Sequence, residues 1–143
     1  MKGPRPQARS RRAVLAAAVV LTFASAWLQI AAGAADDTVR LIVDYGDGAA
    51  KTIADLPWAK GNTVLDAMKE ATTRRHGISF SFTGSGDTAM LTKIDDVANE
   101  GGGAGKKNWQ YWVNGNRGDR SFATFELQAH DTVLWRYAPE QGK

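Results

Sequence analysis

No cysteine occurs among the 143 residues, which excludes a disulfide framework, a thiolate zinc site, a thiol nucleophile and a lipid-bearing cysteine. Histidine is nearly as scarce. His76 and His130 are the only two, and neither has a spaced acidic partner that would suggest a metal site or a catalytic base. Each has a structural place instead, one at a helix end and one in a turn before a strand. No nucleophile-elbow pattern surrounds any serine. The only adjacent acid pair, Asp95-Asp96, is expected on a strand, where neighbours point to opposite faces and cannot share a proton. Catalysis, a bound metal and a resident cofactor are therefore not expected.

Clustered basic charge is also missing once the start of the chain is set aside. Lys2, Arg5, Arg9, Arg11 and Arg12 are 5 of the 18 Lys+Arg, and residues 1–34 hold none of the 15 acids. The remainder carries 18 − 5 = 13 basic against 15 acidic residues, near −2, which gives no support to a nucleic-acid partner. Residues 1–34 read as an export signal: a basic start, an uncharged Ala/Val/Leu-rich run from Ala13, and the small residues Ala32-Gly33-Ala34 at its end. The run from Ala13 to Ala35 is also long enough to span a bilayer, so a retained anchor is the competing reading and the one route to membrane contact. Ser10-Arg11-Arg12-Ala13-Val14-Leu15 resembles the twin-arginine export motif, while an ordinary secretory route fits the same residues. The expected location is outside the cytoplasm: periplasmic, secreted or at the cell surface. Residues 35–143 suit a single domain with a modest core.

What the sequence has in quantity is aromatic strand. Asn108 to Gly115 places Trp109, Tyr111 and Val113 on one face and Gln110, Trp112 and Asn114 on the other, so each face carries a large ring. Asn114-Gly115 marks a tight turn. The closing run Asp131 to Tyr137 aligns Val133, Trp135 and Tyr137 on a second apolar face.

Upstream, Thr38 to Tyr45 alternates as a strand with Val39, Leu41, Val43 and Tyr45 inward, and a short strand near Lys51 to Ile53 would complete a hairpin. Thr63 and Asp66 form a capping box at the start of a helix whose stripe is Val64, Leu65, Met68 and Ala71, with Gly77 at its left-handed stop. Ile78 to Phe82 and Ala89 to Ile94 flank a Gly-Ser-Gly-Asp turn as a second hairpin. Three local patterns fail their tests. The acids from Asp44 to Gly48 lack EF-hand spacing, the Gly-rich stretch from Asn99 has Glu100 and Lys107 where a phosphate loop needs Gly and Ser or Thr, and Arg117-Gly118-Asp119 is a solvated turn.

The blocks Ile94 to Val97, Trp109 to Gly115 and His130 to Tyr137 resemble a bacterial domain family of unassigned function that is similar to the C-terminal domain of transcobalamin and intrinsic factor. Val43 to Gly46, Thr63 to Met68 and Ile78 to Phe82 fall where that family has its first strand, its helix and its next strand. The resemblance implies an α+β fold of β-grasp type over residues 35–143, a mixed sheet of two hairpins and the C-terminal aromatic strands packed on one helix. The vitamin carriers hold cobalamin between this domain and a large helical one, for which this chain has no room.

The leading expectation is an exported non-catalytic binding module that meets a small-molecule ligand or a cell-surface protein through Gln110, Trp112, Asn114, Trp135 and Tyr137, with a corrinoid such as cobalamin as one candidate. The alternative is a structural or adhesion module of the cell surface without a small ligand. Ala32 and Ala34 offer a signal peptidase its two small contact positions, so the mature chain is expected to begin at Ala35. Intact mass of the exported protein checks this, and a product that keeps Met1 to Ala34 would make the segment an anchor.

Overall fold

The computed structural model describes Gly3 and residues 36–140, so the export segment expected over residues 1–34 lies, Gly3 apart, outside the described residues. β1 (Thr38–Asp44) and β2 (Ala50–Pro57) form the first hairpin, with Val39, Leu41 and Val43 buried as the alternation requires. β2 outruns the expected Lys51–Ile53 because the pairing continues past a bulge that inserts one extra residue. Leu41 pairs with Ile53 but Val39 pairs with Leu56, and Asp55 between them takes φ +53°.

α1 (Val64–Thr72) begins at a complete capping box, in which Asp66 N–H donates to Thr63 Oγ1 and Thr63 N–H donates to the Asp66 carboxylate at 2.9 Å. Its buried stripe is Val64, Ala67, Met68 and Ala71. Leu65, expected in that stripe, is half-buried because it lies one step off the i, i+3, i+4, i+7 line. Gly77 is not left-handed either. Its lack of a side chain is required by space, since a Cβ there would stand 1.9 Å from the Ala71 carbonyl oxygen.

β3 (Phe80–Thr83), β4 (Met90–Ile94) and β5 (Val97–Ala98) follow, then β6 (Lys107–Val113), β7 (Asn116–Arg117) and β8 (Thr132–Pro139). β8 lies parallel to β1 and antiparallel to β6, giving a five-stranded mixed sheet in the order β2-β1-β8-β6-β7. Asn114 (φ +50°) and Gly115 (φ +82°) make the expected tight turn into β7. The class is α+β, mostly sheet with one α-helix among the described residues.

One expectation fails: both hairpins do not share a sheet. β3, β4 and β5 form their own three-stranded antiparallel sheet, because β7 and residues 99–101 occupy the two ends of the β6 edge that β4 would need. Asp95-Asp96 is also not on a strand but turns β4 into β5, with Asp95 at φ +48°.

Asp95 then ties the two sheets together. Its carboxylate accepts from Lys51 Nζ at 2.8 Å and from the Tyr45 hydroxyl, both on the first hairpin, and from Ser79 N–H at 2.8 Å. Burial pushes this carboxyl up, but the hydrogen bonds from Lys51, Tyr45 and Ser79 outweigh it and hold it below the usual carboxylate range. A carboxyl depressed on folding stabilises at pH above its unfolded value near 3.8, and that contribution is lost as pH falls through the lower folded value. Asp95→Asn should therefore cost about 1–2 kcal/mol at pH 7 and flatten the stability-against-pH curve below pH 4, as read by urea melts. An unchanged curve would remove Asp95 from the tie.

Candidate functional site

β6 is built as the sequence predicts: Trp109, Tyr111 and Val113 are buried, while Gln110 and Trp112 are half-buried on the outer face. Trp112 lies in register beside Leu134, which is itself beside Ile42, and the Arg136 guanidinium sits 5.7 Å from its ring centroid. On the inner face Tyr111 and Trp135 rings lie 5.2 Å apart, Trp109 and Tyr137 likewise 5.2 Å, and Phe122 meets Trp135 edge-on at 5.5 Å. Phe122 arrives there because residues 122–127 dock on the start of α1, where Leu65 N–H donates to Phe122 C=O and Val64 N–H to Phe125 C=O.

The five expected site residues thus divide. Gln110 and Trp112 share the outer face, and the Gln110 amide donates to the Ala138 carbonyl. Trp135 is 2% exposed and lies with half-buried Tyr137 on the opposite side. Asn114 is a structural clip: its amide donates to Asp131 at 2.7 Å and its carbonyl accepts from Thr132 N–H at 2.9 Å. They do not form one surface.

The structure brings together a different set. A cleft of about 720 Å³ runs beside the first half of β6, between it and β4. Leu91, Trp109, Tyr111, Phe122 and Trp135 supply apolar walls, and Asn99, Gln110, Arg117, Arg120 and Glu140 supply polar ones. Of the expected site residues, Gln110 and Trp135 line it. Sequence reasoning missed Leu91, Asn99 and Phe122, since they come from three separate segments and only the tertiary fold joins them.

The ring donors of this region are unequally satisfied. Trp109 Nε1–H donates to Val97 C=O at 2.8 Å, the Tyr137 hydroxyl to Ala98 C=O at 3.0 Å, and the Tyr111 hydroxyl to Arg120 C=O at 2.6 Å. Burial, with Asp119 nearby, pushes the Tyr111 phenol up to about 12, so it remains a donor at neutral pH. Trp135 Nε1–H, buried like the ring that carries it, has no partner among the described residues. Among the described residues no group of His, Asp and Glu side chains is placed to hold a metal ion.

An α+β domain with an aromatic cleft between two sheets is the class these observations define. The chain belongs to the family described as a domain of unknown function (DUF4430), whose model matches residues 61–138. That span holds α1, the second sheet, β6 and β7, and every cleft residue except Glu140. None of the curated proteins matches the chain.

The face assignment gives an ordered set of stabilities. Trp109→Ala should cost roughly 3 kcal/mol or more, as for a deleted core aromatic. Trp112→Ala should cost no more than about 1 kcal/mol. Gly118→Ala should destabilise by about 1–3 kcal/mol through overpacking, because its Cβ would stand 2.0 Å from Tyr111 Cζ. Denaturant melts of the three variants check the order, and a silent Trp109→Ala would reverse the faces.

Proposed function

We propose that this chain is an exported, non-catalytic binding module of β-grasp type, and that it takes a small organic ligand in the cleft beside β6. The observation that carries this reading is the cleft itself, a ring-walled hollow of about 720 Å³ beside a buried indole donor with no partner among the described residues. Apolar walls supply affinity through burial, and a few polar groups fix orientation, which is how small-molecule sites are generally built. The ligand contact thereby moves from the Trp112 face to the cleft, with Gln110 and Trp135 kept from the expected set.

A corrinoid is the first candidate ligand. The resemblance of Trp109 to Gly115 to the family related to the transcobalamin C-terminal domain supports it, as do the ring walls of the cleft. The export reading rests on residues 1–34. A second reading, a structural or adhesion module of the cell surface, is favoured by the near-complete burial of Trp109, Tyr111 and Trp135, none more than 8% exposed.

Calorimetric titration with cyanocobalamin and with dicyanocobinamide, a corrinoid lacking the nucleotide tail, tests the corrinoid in the cleft. Binding that weakens about tenfold in Trp135→Phe, which keeps a ring but removes the donor, and is unchanged in Trp112→Ala supports the cleft. The reverse pattern places the ligand on the outer face, and no heat with either corrinoid up to millimolar concentration removes the corrinoid as the ligand of the cleft.

A further inference from the structure

The edge of β6 that borders the cleft carries an unfinished hydrogen-bond ladder. In β6 the odd-numbered residues direct their main-chain groups away from β8: Trp109 N–H donates to Asn99 Oδ1 at 2.8 Å, and Tyr111 C=O accepts from Gly118 N–H at 2.9 Å. Between these two bonds stand Trp109 C=O and Tyr111 N–H, which point the same way and have no partner among the described residues. The β6–β7 pairing stops at Trp112 and Arg117, just short of them.

Asn99 shows what the slot accepts. Its side-chain amide accepts from Trp109 N–H on β6 and donates to Leu91 C=O on β4 at 2.7 Å. A single carboxamide thus stands between two strands of different sheets, as a peptide group of an inserted strand would. The next position along β6 is the open one, and it faces the cleft that Leu91, Phe122 and Trp135 line.

Resting on the cleft reading above but not on a corrinoid as its ligand, we infer that the cleft takes an extended peptide segment that continues the ladder Asn99 begins. One residue of it, lying parallel to β6, would donate its N–H to Trp109 C=O and accept from Tyr111 N–H. Side chains alternate across a strand, so one neighbouring residue of the segment sends an apolar side chain to the Leu91, Phe122 and Trp135 floor. Asn99 closes one end and Gly118 the other, so only a short stretch is paired.

The test uses the ¹⁵N-labelled chain and capped tripeptides, acetyl-Gly-Leu-Gly-amide, whose Leu is the apolar neighbour of the paired residue, and its analogue N-methylated at both glycines. The expected result is a dose-dependent shift and slowed hydrogen exchange of the Tyr111 amide, with affinity about tenfold weaker for the N-methyl analogue, which cannot donate to Trp109 C=O. Because the change is made in the ligand, folding of the protein is not at issue. Peptide binding that leaves the Tyr111 amide unmoved, or equal affinity for both peptides, overturns strand pairing. No shift with either peptide also overturns it. A corrinoid that moves the Trp135 indole in the same sample would leave the cleft reading standing without the strand.

Discussion

Everything in this fold depends on the last strand coming home between the first and the aromatic one. β8 pairs in parallel with β1 and antiparallel with β6, so a stretch near the C-terminus supplies the centre of the main sheet. Its inward side chains Val133 and Trp135 are among the most buried in the molecule. Without β8 the first hairpin and β6 have no contact through the sheet, and the rings of Trp109 and Tyr111 lose the partners that cover them. Such pairing joins residues far apart in sequence, so loop-closure entropy must be met before its contacts reward it.

The cleft follows from the same arrangement. β6 is paired with β8 along its length on one side, but on the other side only its end meets β7. The second sheet cannot complete that edge, because β4 is held at a distance by the Asn99 amide and anchored elsewhere through Asp95, Lys51 and Tyr45. Two sheets fixed at one end by an ion pair and at the other by an amide leave a gap between them. The gap is floored by rings because those rings are the core of the larger sheet, seen from its open edge.

Local features were the legible part of the sequence. The Thr63 to Asp66 capping box, the Asn114-Gly115 turn and the alternation of β1 and β6 are set by neighbours a few residues away, where propensity and period speak directly. The split of the α1 stripe toward Ala67 instead of Leu65 required knowing which way the helix faces. The separate second sheet, the bulge at Asp55 and the turn at Asp95-Asp96 were hidden, since each answers to a tertiary demand. The site was half legible. The aromatic strand was found, but the cleft needs Leu91, Asn99 and Phe122, which no spacing connects, and Trp135 and Trp112 proved to lie on opposite faces.

The claim that the cleft and not the outer aromatic face is the working surface is most directly tested by ¹⁹F NMR of the chain with 5-fluorotryptophan at its five tryptophans. Each indole gives its own resonance, assigned by single Trp→Phe variants, and the spectrum is read while the corrinoids and the capped peptide are added in turn. A binding probe should move the Trp135 and Trp109 signals and leave Trp112 in place. A probe that moves Trp112 and leaves Trp135 still would contradict the account.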